Sequence, residues 1–128
     1  MTATQRAALV ADAEELCRQE LASLLRDEGF EPRLASDDDE AFEIAHQTRV
    51  DVVIVQFELP SQGGLDFWRA LRGELPPRVP CVLTAREVSP RVQFDAFSED
   101  AFAVVPKPID TSVMRRVVKS IMRRYFHE

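Results

Sequence analysis

Lysine is nearly missing from this chain. Of 16 basic residues only Lys107 and Lys119 are lysines, and arginine supplies the rest. That scarcity makes the position of Lys107 informative. Cysteine is as rare: Cys17 and Cys81 fall in a predicted helix and a predicted strand. Two isolated cysteines make neither a disulfide framework nor a zinc site, and both read as buried, reduced thiols. No apolar run approaches the length of a membrane span. The start, Met1 to Arg6, lacks the apolar region of a signal peptide. The expectation is a soluble, cytoplasmic protein with no membrane contact. No glycine-rich loop follows any predicted strand, which weighs against a nucleotide-binding domain. Repeats, low-complexity tracts and linkers are absent too, so the 128 residues read as one domain, 1–128. A chain of that size buries a core without disulfides or metals. The net charge of −6 argues against direct nucleic-acid binding by this domain.

What is present alternates between strand and helix. Ala7 to Ala11 is a short apolar run, read as a buried strand. Ala13 to Glu28 has helical spacing through Leu16, Glu20, Leu21, Leu24 and Leu25, with Gly29 as its stop. Phe30 to Ala35 is a second strand. Ser36 is the expected N-cap of a helix running to about Gln47, with acids in its first turn where they favour the dipole. Val52 to Val55 is β-branched throughout and reads as a strand buried on both faces. Leu65 to Arg72 is a short helix that stops at Gly73. Cys81 to Thr84 is the fourth strand. Ser89-Pro90 opens a helix to about Ser98. Phe102 to Val105 is the fifth strand, ended by Pro108. Thr111 is the expected cap of a last helix, whose apolar face holds Val113, Met114, Val117, Val118, Ile121 and Met122. Tyr125 to Glu128 reads as a terminus or the first turn of a linker helix.

Five strands alternating with five helices through short loops imply an α/β domain, a parallel sheet with helices on both faces. In such sheets the functional site lies at the carboxyl ends of the strands. The residues there are Asp12, Gln56, Thr84 and Lys107.

Those positions carry a resemblance. Leu9-Val10-Ala11-Asp12-Ala13-Glu14, Val52 to Gln56 with Phe57-Glu58-Leu59-Pro60 and Gly63-Gly64-Leu65, Val82-Leu83-Thr84-Ala85, and Lys107-Pro108 occur in the order of the motifs of bacterial two-component response-regulator receiver domains. The chain resembles that family over essentially its whole length. The resemblance implies a flavodoxin-like, doubly wound sheet of five parallel strands in order 2-1-3-4-5 with five helices. It also implies a pocket. In the family an aspartate ending the third strand takes a phosphoryl group from phosphohistidine. That aspartate and two adjacent acids of the first strand hold Mg²⁺, and the hydroxyl residue and the lysine bind the phosphoryl oxygens.

Here the acceptor position is Gln56, a poor nucleophile that gives no stable acyl phosphate. The second first-strand acid is Ala13, which has no ligand atom. Mg²⁺ wants several hard oxygen ligands, usually carboxylates, and Asp12 with the backbone carbonyl after Gln56 is too few. No metal and no cofactor are expected. Glu14 and Glu15 read as solvated partners of the helix dipole, and Glu58 as a solvated rim carboxylate; a metal site rebuilt through these acids is the minor alternative. Asp12 and Lys107 are expected to form a neutral pair, with the Gln56 carboxamide bridging between that pair and Thr84. The pocket would then be satisfied without metal or phosphoryl group.

The family switches through the hydroxyl residue and a fifth-strand aromatic. Here that position is Val104, which has no long rotamer swing. Phe102 is two residues away and, by strand alternation, should share its side. The fourth helix region carries Asp95, Glu99 and Asp100, and the last helix carries Arg115, Arg116, Lys119, Arg123 and Arg124. Two readings stand: a homodimer through the fourth helix, fifth strand and fifth helix, with these faces pairing across it, or ordinary solvated charge.

The function expected is a phosphorylation-independent, non-enzymatic signalling module that binds a protein partner. Two rivals stand: a phosphotransfer-competent receiver with a displaced acceptor, Asp51 or Asp66, and a small-ligand-binding flavodoxin-like domain.

Overall fold

The computed structural model describes residues 5–128. Most of the segment read above for a signal peptide, Met1 to Arg6, therefore lies outside the described residues. Ten elements alternate: β1 Arg6–Ala11, α1 Glu15–Asp27, β2 Phe30–Ala35, α2 Asp38–Gln47, β3 Val52–Gln56, α3 Gly64–Arg72, β4 Cys81–Ala85, α4 Pro90–Ser98, β5 Ala103–Pro106 and α5 Thr111–Phe126. All strand pairs are parallel. The order is β2-β1-β3-β4-β5, as the resemblance implied.

Strand alternation sorts the side chains into two cores. Val53, Val55, Leu83 and Val104 face one layer, with Phe67, Trp68 and Leu71 of α3 and Ala96 of α4. Val10, Ile54, Val82 and Val105 face the other, with Leu21, Leu25, Met114, Val118 and Ile121 of α1 and α5. The central strand β3 is buried along its length, because helices cover both faces and β1 and β4 flank it. No helix among the described residues is long and apolar enough to cross a membrane.

Four expectations from the sequence need correction, two of them helix caps. The N-cap of α2 is Asp37, not Ser36: its carboxylate accepts the Glu40 N–H at 2.8 Å. Glu40 in turn accepts the Ser36 N–H at 2.9 Å, so Ser36 is a partner of the cap and not the cap itself. The N-cap of α5 is Asp110, not Thr111, and its side chain accepts from Ser112 and Val113. Thr111 already has helical backbone geometry, and a cap must sit one step outside. Leu16 is 80% exposed. The buried stripe of α1 runs through Cys17, Leu21, Leu24 and Leu25, an i, i+4, i+7, i+8 set, which leaves Leu16 and Glu20 outside. Finally, β5 starts at Ala103. Phe102, in the bend before it, packs with the α1–α5 layer at 5.9 Å from the Tyr125 ring, whereas Val104 faces the other layer. Alternation does not extend through that bend, so Phe102 does not share the side of Val104.

Other boundary signals held. Ser89 caps α4 through the Val92 N–H, with Pro90 in its first turn. Gly29 follows α1 at φ +90, a conformation that costs glycine little and other residues more. Tyr125 and Phe126 belong to the last turn of α5 and pack on the core.

One glycine fixes the entry to the site. A Cβ on Gly64 would stand 2.0 Å from the Gln56 carbonyl oxygen. The start of α3 therefore lies directly on the end of β3. Gly64→Ala should destabilise the domain by about 2–3 kcal/mol, because backbone must move to admit the methyl. Urea unfolding measures it, and an unchanged midpoint would show that this approach is looser than described.

Candidate functional site

The sheet's alternation brings the four residues to one place. Val10, Ile54, Val82 and Val105 face the α1–α5 layer. Two residues further along each strand come Asp12, Gln56, Thr84 and Lys107, on the same side and at the carboxyl ends. Gln56 and Thr84 are register partners. The Lys107 N–H donates to the Ala85 carbonyl at 2.8 Å, and the Asp12 N–H donates to the Ala35 carbonyl at 3.0 Å. Asp12, Gln56 and Thr84 are each 1% exposed.

Lys107 is the centre of the charges. Its Nζ lies 3.0 Å from Asp12 Oδ2, 3.2 Å from Oδ1 and 2.7 Å from Glu14 Oε1. An ammonium has three donors, and these contacts use them. The expected Asp12–Lys107 pair is present, but Glu14 is not the solvated dipole partner it was read as. Asp12 Oδ1 accepts the Glu14 N–H at 2.8 Å, which turns the chain so that the Glu14 carboxylate comes back over the pocket. Glu14 also lies 3.4 Å from Arg86 Nη2. Glu58 is held as well, its carboxylate accepting the Arg86 N–H at 3.1 Å and 3.2 Å. Glu14 and Arg86 are the site residues that sequence reasoning missed. The signal was there for Glu14: an aspartate accepting the N–H two residues on is a common turn.

The hydrogen bond from Lys107 holds the Glu14 carboxyl below its ordinary 4.5, and the ammonium charge adds to this. For Lys107, burial disfavours the charge, but the hydrogen bonds to Glu14 and Asp12 outweigh it and the pKa stands above 10.5. Burial, with Asp12 beside it, pushes the Cys17 thiol up to about 12, and burial raises Cys81 as well. Both are inert thiols at neutral pH.

Gln56 does not bridge the ion pair to Thr84. Its Oε1 accepts the Ala13 N–H at 3.0 Å. Its Nε2 and the Thr84 hydroxyl are buried with no partner among the protein's atoms. The pocket is thus not fully satisfied. The amide oxygen is turned toward the β1–α1 turn, and neither it nor the amide nitrogen makes a hydrogen bond to Thr84. Each unpartnered group costs about 1–3 kcal/mol.

Groups suited to Mg²⁺ are spoken for. Asp12 serves Lys107 and Glu14, the Gln56 oxygen serves Ala13, and Ala13 brings no ligand atom. This donor set does not fit the ion. Asp51 sits at the opposite end of β3, where it accepts the Ala7 N–H at 2.8 Å and pairs with Arg49. Asp66 is exposed and pairs with Arg69.

A response regulator receiver domain model matches residues 8–119. The chain belongs to the response regulator receiver family. It is 32% identical over 117 residues to the probable transcriptional regulatory protein TcrX of Mycobacterium tuberculosis, covering 91% of this chain and 49% of that protein. It is 29% identical over 120 residues to an uncharacterized response regulatory protein of Vibrio cholerae, again covering 49% of it. The chain therefore spans about half the length of these relatives. Among solved structures, the chemotaxis response regulator CheY4 of Vibrio cholerae superposes with a TM-score of 0.84 at 25% identity, over 92% of this chain and 99% of that one. A receiver domain of an HD domain-containing protein from Pseudomonas fluorescens gives 0.87 at 20% identity, over 98% of this chain and 100% of that one, a likeness of fold.

The acids around this receiver's α4, and two of the basic residues of α5, are paired within the chain. Asp95 pairs with Arg91 of its own helix, Glu99 with Arg69 and Arg72, and Asp100 with Arg72. On α5, Arg115 and Lys119 pair with Glu28. The acids near α4 are thus paired within one molecule, while Arg116, Arg123 and Arg124 of α5 form no ion pair among the described residues. What α4 does offer is apolar: Phe94 is 70% and Phe97 49% exposed, on one stripe with Pro90.

Glu14 stabilises the folded state fully above its unfolded value near 4.5, and the contribution is lost as pH falls through its lowered folded value. Glu14→Gln should lower the melting temperature at neutral pH and flatten its fall below pH 4.5. Acid limbs of equal slope would show that the contact to Lys107 is not made in solution. Lys107→Met should cost about 3–5 kcal/mol, since it leaves Asp12 buried with no counter-charge.

Proposed function

We propose that this receiver domain signals by binding a protein partner and does not pass through an aspartyl phosphate. Gln56 carries the reading. It occupies the strand end where the family's acceptor stands, and its carboxamide oxygen is tied to the Ala13 N–H. A bound, neutral amide oxygen is a weak nucleophile. Two further features support the reading. Lys107 has spent its donors on Asp12 and Glu14, and Val104 offers no aromatic swing between pocket and surface. A displaced acceptor finds no support in Asp51 or Asp66, which are engaged elsewhere. In this reading the domain is not an enzyme, needs no metal or cofactor, and works in a bacterial cytoplasm.

The partner surface in this reading is the α4 face. Its Phe94–Phe97 stripe suits an apolar contact. The homodimer across α4, β5 and α5 stays part of the proposal, resting on that apolar stripe in place of charge complementarity. Phe94→Glu with Phe97→Glu should leave a monomer where the parent sediments as a dimer at micromolar concentration. A parent that is monomeric ends the homodimer and leaves a different protein as the partner.

Incubation with acetyl phosphate and Mg²⁺ should add no phosphoryl mass to the parent. A stoichiometric, base-labile adduct would sink the reading. Gln56→Asp with Ala13→Asp should create a response to Mg²⁺, because the Gln56 carboxamide oxygen already lies 3.0 Å from the Ala13 backbone nitrogen. The double variant should melt lower than the parent without the ion, since it crowds carboxylates, and recover part of that loss with it. Gln56→Asp alone should respond less.

A further inference from the structure

The end of the sheet opposite Lys107 carries a cleft. It lies between the α2–β3 loop, the α3–β4 loop and the last turn of α5, and its volume is about 540 Å³. A second cavity of about 360 Å³ shares Leu75, Pro76, Arg78, Val79 and Tyr125 with it. Volumes of this size are those of small-molecule sites. The walls are fixed. Pro76, Pro77 and Pro80 restrict the α3–β4 loop, and the Pro80 carbonyl accepts the Val53 N–H at 3.0 Å. Asp51 is held by the Ala7 N–H at 2.8 Å. Tyr125 and Phe126 form an aromatic wall. The Tyr125 ring meets Phe102 at 5.9 Å, and the Arg6 guanidinium stands 4.3 Å from the centre of the Phe126 ring. Each ring is thus held by a partner outside the cleft.

The charges around these walls are paired with one another, with one exception. Arg49 pairs with Asp51 at 2.8 Å, Glu74 meets His46 at 3.2 Å, and Arg72 pairs with Asp100 at 3.1 Å. Arg78 is exposed, lines both cavities and makes no ion pair or side-chain hydrogen bond among the described residues. The cleft therefore offers an apolar, partly aromatic wall and a single uncommitted guanidinium. A guanidinium binds a carboxylate through two parallel hydrogen bonds. A flat ring packs on tyrosine and phenylalanine by stacking or edge contact.

We propose that this cleft binds a small planar aromatic acid, with its ring against Tyr125 and Phe126 and its carboxylate on Arg78. The ligand is held by packing, hydrogen bonds and charge, and no covalent bond forms or breaks. Parallel sheets of this kind place their usual sites at the carboxyl ends of the strands, so this site is separate from the pocket of Gln56 and Lys107. It stands whether or not Gln56 takes a phosphoryl group.

Naphthoate at neutral pH and constant ionic strength is the probe, and the backbone amide chemical shifts of the full chain are the readout. The shifts should saturate and centre on Val50, Asp51, Leu75 and Val79. Arg78→Gln, a change at an exposed position that leaves the walls intact, should weaken binding roughly tenfold through loss of a charged hydrogen-bond contact. Naphthamide, uncharged and of the same shape, should bind the parent roughly tenfold more weakly than naphthoate and bind Arg78→Gln as well as the parent. Cyclohexanecarboxylate keeps the charge but lacks the flat ring, and it should also bind more weakly than naphthoate. Shifts that do not saturate overturn the proposal. So does equal affinity of parent and Arg78→Gln for naphthoate, or equal binding of the cyclohexane acid. Shifts centred on Phe94 and Phe97 overturn it too, since the probe would then sit on the exposed α4 stripe.

Discussion

Lys107 ties the last strand to the first. β1 and β5 are not neighbours, since β3 and β4 lie between them. The Lys107 side chain nevertheless reaches Asp12 at 3.0 Å and Glu14 at 2.7 Å, and is itself only 6% exposed. To do so it crosses the ends of β3 and β4, where Gln56 and Thr84 sit. A buried carboxylate without a counter-charge would be costly, and so would a buried ammonium. Each holds the other in place, and the ends of the intervening strands are covered as a result.

The charge balance of this pocket is local and nearly complete. Asp12, Glu14 and Glu58 face Lys107 and Arg86, and Arg18 Nη1 donates to the Asp12 carbonyl at 2.7 Å. A cluster of three carboxylates would demand a cation, because like charges that close cannot all stay ionised. Replacing two of the family's acids by Gln56 and Ala13 removes that demand. Glu14 then becomes available as a third contact for the lysine, where a metal-bound anion would otherwise compete. The remaining imbalance is one of hydrogen bonds, not of charge: Gln56 Nε2 and the Thr84 hydroxyl.

The same economy runs over the surface. The acids around α4 are taken up by Arg69, Arg72 and Arg91, and Glu28 at the end of α1 takes Arg115 and Lys119. Where both partners are exposed, such pairs add little to stability. Their consequence is that the most distinctive feature left on α4 is the apolar stripe of Phe94 and Phe97.

Strand and helix order, the two buried faces of β3 and the four strand-end residues were legible in the sequence. They depend on local periodicity, on turn residues and on the rule that parallel sheets put their sites at carboxyl ends. The motifs added strand order, which periodicity leaves open. What only the tertiary structure decided are contacts between residues far apart in the chain. Glu14 on Lys107 is one, at a separation of 93 residues. The commitment of the Gln56 oxygen to Ala13, 43 residues away, is another. So is the turning of Phe102 away from Val104 onto Tyr125. Sequence patterns report which face a residue occupies, because that face repeats with the period of the element. They do not report which of several nearby partners a polar group takes, because that depends on angles and on competing donors set when the whole sheet has closed.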